Sequence, residues 1–124
     1  MQLALQNAKF GTSEPVGILV TNTGKTDVYA VDGQAACTIL GMQEYSSQQN
    51  AWTPVDVCHD NAQPHVVVVR AGMSEPFTLP PASANDPNTW ASGTYRIALT
   101  YSDSLDGKTA SKVAYSQAFI IASS

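Results

Sequence analysis

From Tyr95 to Tyr101 the chain alternates Tyr95, Ile97, Leu99 and Tyr101 with Arg96, Ala98 and Thr100. Side chains of a strand point to opposite faces in turn, so this pattern predicts a half-buried strand with one aromatic–aliphatic face. Nothing comparable supports a helix. No window sustains apolar residues at i, i+3, i+4 and i+7, and Gly or Pro interrupts most long stretches. The chain is therefore confined to all-β architectures.

Shorter strand patterns recur on both sides. Leu3–Lys9 reads as a first, edge-like strand. Val16, Ile18 and Val20 share a face of the next, which ends at the turn Asn22-Thr23-Gly24-Lys25. Val28–Val31 follows and closes at Asp32-Gly33, a pair suited to a tight turn. Cys37–Tyr45 is a fourth strand, and the polar run Ser46–Asn50 leads into a return strand, Trp52-Thr53-Pro54-Val55. His65–Val69 is β-branched after its first residue, and Phe77 and Leu79 alternate before Pro80-Pro81 stops their strand. The last strand is expected over Val113–Ile121, with Tyr115, Phe119 and Ile121 on one parity. Roughly seven to nine short strands separated by turn chemistry predict an antiparallel β-sandwich. Residues 1–124 form one domain, with no internal repeat and no linker.

Composition excludes several function classes. Six Lys and Arg stand against ten Asp and Glu, a net charge of -4, and charged residues make up 13% of the chain. Such scattered cations cannot neutralise a run of phosphates, so nucleic acid is not an expected partner. No apolar run approaches the roughly 20 residues of a membrane-spanning helix. The polar surface is drawn from 11 Thr, 12 Ser and 8 Gln.

Cys37 and Cys58 are the only cysteines. An even count beside low Lys and Glu content favours a disulfide and an oxidising, extracellular compartment. The predicted hairpin between them would return their segments towards one another. Closing that loop contributes about 3 kcal/mol in the chain-entropy view. The opening Met1-Gln2-Leu3 does not resemble a leader; if the disulfide forms, Met1 is expected to stand in place of an upstream leader or region.

Several phrases together resemble the bacterial immunoglobulin-like domains of surface proteins and lipoproteins, including those related to the BsuPI proteinase inhibitor. They are Val16–Lys25, Trp52–Val55, the turn Arg70-Ala71-Gly72-Met73-Ser74, the phrase Ala91–Ile97 and the closing Tyr115–Ile121. Ala71 and Ser92 stand where the family pattern has proline before glycine. No cysteine pair sits on the second and sixth strands, which separates the chain from antibody domains. The resemblance implies an immunoglobulin-like sandwich, and its motifs are structural.

Candidate chemistry is sparse. Cys58-His59-Asp60 with His65 lacks the ligand spacing of a zinc site, and an oxidised Cys58 would be neither ligand nor nucleophile. Asp103, Asp106 and Gly107 lack the spacing of a calcium loop. Neither Asp56 with Asp60 nor Asp103 with Asp106 is placed across a cleft by its spacing. No G-x-S-x-G phrase accompanies the serines. Lys9 is a weak candidate for an isopeptide crosslink. No catalytic residue, metal or cofactor is expected. Among the aromatic residues Trp52, Trp90, Tyr29, Tyr45 and Tyr101, the expected binding candidates are Trp90 with its neighbour Asn88, and then Trp52. Trp52 is read mainly as core, and Trp90 either as a contact residue or as a lid on one end of the sandwich.

The leading expectation is a noncatalytic extracellular module, structural or interacting, that displays residues 49–55 and 82–91 to a protein or glycan. A proteinase inhibitor of BsuPI type and a carbohydrate-binding module are the alternatives. Edge strands offer pairing with a neighbouring domain or a second copy.

Overall fold

The computed structural model of the chain describes residues 1–32, 40–55, 65–81, 89–103 and 112–123. Among them are eleven strands and no helix: β1 (Gln2–Leu5), β2 (Lys9–Phe10), β3 (Val16–Thr21), β4 (Val28–Asp32), β5 (Leu40–Ser46), β6 (Ala51–Val55), β7 (His65–Val69), β8 (Ser74–Leu79), β9 (Gly93–Tyr101), β10 (Lys112–Tyr115) and β11 (Phe119–Ile121). They form a three-stranded sheet β1-β3-β8, a larger sheet β2-β11-β9-β5-β6 in which β10 also pairs with β9, and the ribbon β4-β7. Pairing is antiparallel except between β2 and β11. The architecture is sandwich-like. One apolar core draws Val16, Ile18, Val20 and Leu79 from the first sheet, and Phe10, Met42, Tyr95, Ile97, Leu99 and Phe119 from the second. The ribbon adds Val28, Ala30 and Val69.

β9 has the parity its sequence implies: Tyr95, Ile97 and Leu99 are buried, while Arg96, Ala98 and Thr100 face outwards. The predicted β5–β6 hairpin forms through the turn at residues 47–50, with Tyr45 opposite Trp52. Asn50 takes the left-handed φ of 51° that such a turn requires. Gly72, φ 75°, sits where Met73 N donates to Arg70 O, the glycine-favouring third position of a β-turn.

Two predicted strands are each divided. The first leaves β3 after Gln6, whose N–H donates to Gly17 O, and crosses to β11, where Ile120 N donates to Ala8 O. One strand's worth of sequence thus serves both sheets. The last strand is interrupted at residues 116–118. Tyr115 is opposite Ala98 and Phe119 is opposite Tyr95, so four steps on one strand answer three on the other. That extra residue is a bulge, and it reverses the parity. Phe119 and Ile121 are buried as expected, but Tyr115 faces outwards. Ser116 repairs the ladder: its N–H donates to Ile97 O, and its hydroxyl accepts from Ile97 N at 2.9 Å and donates to Gln117 O.

Tyr95 closes the lower end of β9, its hydroxyl donating to Ala91 O at 2.6 Å. Burial, with a smaller contribution from the nearby Glu44 charge, raises this phenol from 10.0 to about 12. The unfolded chain therefore loses this proton first. The associated stability is intact below pH 10 and is lost as the pH rises towards 12. Wild type should lose up to about 2 kcal/mol more than Tyr95→Phe over that interval, measured by urea denaturation at pH 9 and 11.5. Parallel losses in the two proteins would contradict the assignment.

Cys37, Cys58 and Asn88 lie outside the described residues, as do His59, Asp60, Asp56, Asp106 and Gly107.

Candidate functional site

The outward face of the larger sheet carries residues of opposite parity to the core. On β5 these include Gln43 and Tyr45, opposite Pro54 and Trp52 of β6. Arg96 of β9 is opposite Gln43. Tyr115 of β10, opposite Ala98, completes a band running across four strands.

At its centre lies Arg96. Its Cζ is 4.5 Å from the centroid of the Trp52 ring and 4.0 Å from that of Tyr115. These rings come from β6 and β10, which lie on opposite sides of β9. The Arg96 Nε donates to Gln43 Oε1 at 2.7 Å. Each cation–ring contact contributes on the order of 0.5–1 kcal/mol at a part-exposed position. The larger consequence is orientation, since the long Arg side chain is held in one place. Tyr45 packs edge-on to Trp52, ring centroids 5.4 Å apart at 61°, and its hydroxyl donates to Asn50 Oδ1. Among the described residues no carboxylate pairs with Arg96.

The band is open to solvent. Tyr115 is 48% exposed and Tyr45 37%, and Val113 and Ile120 on the same face are about half exposed. A rigid Arg among Trp and Tyr, flanked by apolar side chains, has the composition of interface centres. Stacking and carboxylate pairing are within its reach.

Trp90 takes the place of its lid reading, while Trp52 departs from its core reading. Trp90 is buried, 3% exposed, with its N–H donating to Thr12 O and its indole Nε1 donating to Glu14 O, both at 2.8 Å. It seals the core, as in the lid reading, and does not present its ring. Trp52 is only half-buried, because β6 is an edge strand with no neighbour beyond it among the described residues. Residues 51–55 are this edge strand and not a displayed loop. Tyr115 and Arg96 were missing from the expected binding residues. The bulge hides the first, and a lone Arg on a strand face carries no local signal.

Of the remaining sequence candidates, Asp103 and Lys9 lie among the described residues. Asp103 makes a long contact of 3.8 Å with Lys112, both well exposed, and such a pair contributes little. Lys9 is exposed on β2. Among the described residues no three His, Cys, Asp or Glu side chains converge as metal ligands, and no helix is long and apolar enough to cross a membrane.

A groove of about 490 Å³ lies between β1 with the 6–8 crossover and residues 115–118. Gln2, Gln6, Asn7 and Gln117 line it with Tyr115, and no Asp, Glu, Lys, Arg or His does. Among the described residues β1 is an edge with no proline, whereas Pro54 and Pro76 remove N–H groups from the edges β6 and β8.

No protein-family model matches this sequence, and no curated protein matches it significantly.

Proposed function

We propose that the chain is a noncatalytic interaction module of extracellular, immunoglobulin-like type, which binds a partner through the outward face of its larger sheet. The observation that carries this reading is Arg96 held between Trp52 and Tyr115 on an open sheet face. An immobilised cation and exposed rings lose little conformational entropy on binding, so contact energy there is retained as affinity. The immunoglobulin-like part is supported by the Tyr95–Ala91 hydrogen bond, which has the form of a tyrosine corner. It is supported also by the first strand's division between two sheets. The extracellular part rests on the cysteine pair and composition. Mass spectrometry of non-reduced protein should find Cys37 and Cys58 linked, and two free thiols would remove that argument.

The sheet face is tested by screening wild type, Trp52→Ala and Tyr115→Ala against peptide and glycan libraries. Both variants should stay folded, with wild-type ligands weakened tenfold or more. Unchanged binding in both would refute the reading. Carbohydrate is the second reading, favoured by the Tyr45–Trp52 ring pair. A glycan selected by wild type and lost in Trp52→Ala would establish it. The proteinase-inhibitor alternative is settled by a protease panel, where no inhibition is expected. Pro80 and Pro81 follow β8, but residues 82–88 lie outside the described residues.

A further inference from the structure

Three sides of the Arg96 guanidinium are accounted for. Trp52 and Tyr115 flank it, and Gln43 takes the Nε proton. What remains is the far edge with its two terminal nitrogens. Among the described residues neither has a hydrogen-bond or ion-pair partner. That edge presents two parallel N–H donors, the complement of a carboxylate. In a chain of net charge -4 with only two arginines, it is one of few cations on this face, where Lys9 stands opposite Ile120.

We infer that Arg96 receives a carboxylate from a protein partner, an Asp or Glu side chain set among apolar residues. The inference rests on the reading of this sheet face as an interaction surface and names its ligand chemistry. The carboxylate follows from charge and fork geometry. The protein source follows from the surroundings: Val113, Tyr115 and Ile120 are each about half exposed on the same face. Aliphatic side chains there meet apolar neighbours of an acidic residue and exclude water from the ion pair. They offer nothing to the hydroxyls of a sugar acid.

The composition of the chain makes the test clean. Arg70 is exposed and is the other arginine, so side-chain NMR shows two Nε–Hε signals, one of them an internal control. Trp90, buried, is the corresponding control for Trp52. The probes are N-acetyl-Val-Glu-Val-amide, its Gln counterpart and glucuronate, titrated at constant ionic strength. The Glu peptide should shift Arg96 along a saturating curve while Arg70 hardly moves, and the Gln peptide should bind about tenfold more weakly or worse. Arg96→Lys keeps the charge and loses the fork, so it should erase most of the Glu-over-Gln preference. The comparison of the two peptides on wild type stands even if that variant folds poorly.

Equal movement of Arg96 and Arg70, or equal affinity for the two peptides, overturns the carboxylate. Saturation by glucuronate at lower concentration than the peptide overturns the protein source. If both peptides bind alike and Trp52→Ala abolishes both, the sheet face remains the interaction surface and only the carboxylate falls. If neither peptide disturbs Trp52 and the library screen is also blank, both readings fall.

Discussion

Trp90→Ala is expected to destabilise the fold by about 3–5 kcal/mol, a fall in Tm of roughly 10–20 °C, whereas Trp52→Ala should cost about 1 kcal/mol or less. The contrast follows from what each indole touches. Trp90 is almost wholly enclosed and joins the turn at residues 12–14 to the segment entering β9, through two hydrogen bonds that span most of the sequence. Its removal leaves a large cavity, frees the Glu14 carbonyl and loosens a contact that closes one end of the core. Trp52 loses a half-exposed ring, an edge contact with Tyr45 and one side of the Arg96 cage. Domains of this size have about 5–15 kcal/mol in hand, so the first substitution removes a large fraction and the second little. Chemical denaturation of the two variants side by side measures this. A Trp52→Ala loss equal to that of Trp90→Ala would contradict the placement of both residues.

The two tryptophans also show what a local sequence pattern conveys. Alternation in Tyr95–Tyr101 set the strand and both of its faces, because period 2 is a property of the segment itself. The all-β class and the β5–β6 hairpin were legible for the same reason. Burial of Trp90 depends on Thr12 and Glu14, which no window around Trp90 contains. Exposure of Trp52 depends on β6 being an edge. Pro54 was the available hint, since proline is confined to edges and bulges within sheets. Tyr115 is the plainest case. Counting by twos from Phe119 puts it inside, and one additional residue between them turns it out. Bulges and edges are decided by long-range pairing, and in this protein they place the two rings that flank Arg96.

A second large effect is expected at Asn22, the residue that fastens the β4-β7 ribbon to the first sheet. Asn22 is 2% exposed. Its Nδ2 donates to Val69 O at 2.9 Å and to Thr26 O at 2.8 Å, and its Oδ1 accepts from Gly24 N at 3.0 Å. Its own backbone N–H donates to Met73 O, and its carbonyl accepts from Gly72 N. Truncation to alanine leaves a buried Val69 carbonyl and two turn groups without partners, a loss of about 2–4 kcal/mol. Asn22→Asp is nearly isosteric and more instructive. A carboxylate supplies no donor and faces two carbonyl oxygens, so its charged form is disfavoured in the folded chain. The folded pKa of that Asp should therefore lie above the ordinary value of about 3.9. Stability gained by protonation is then present below the unfolded pKa and lost as the pH rises through the folded one. Asn22→Asp should sit closest to wild type near pH 3.5 and furthest from it at pH 7. Hydrogen exchange locates the defect: amides of Val28–Ala30 and Val67–Val69 should exchange faster in both variants, while those of Ile97 and Leu99 on β9 follow only the global stability. Uniform acceleration across all strands, or an Asp variant insensitive to pH, would mean that Asn22 does not join the ribbon to the sandwich in this way.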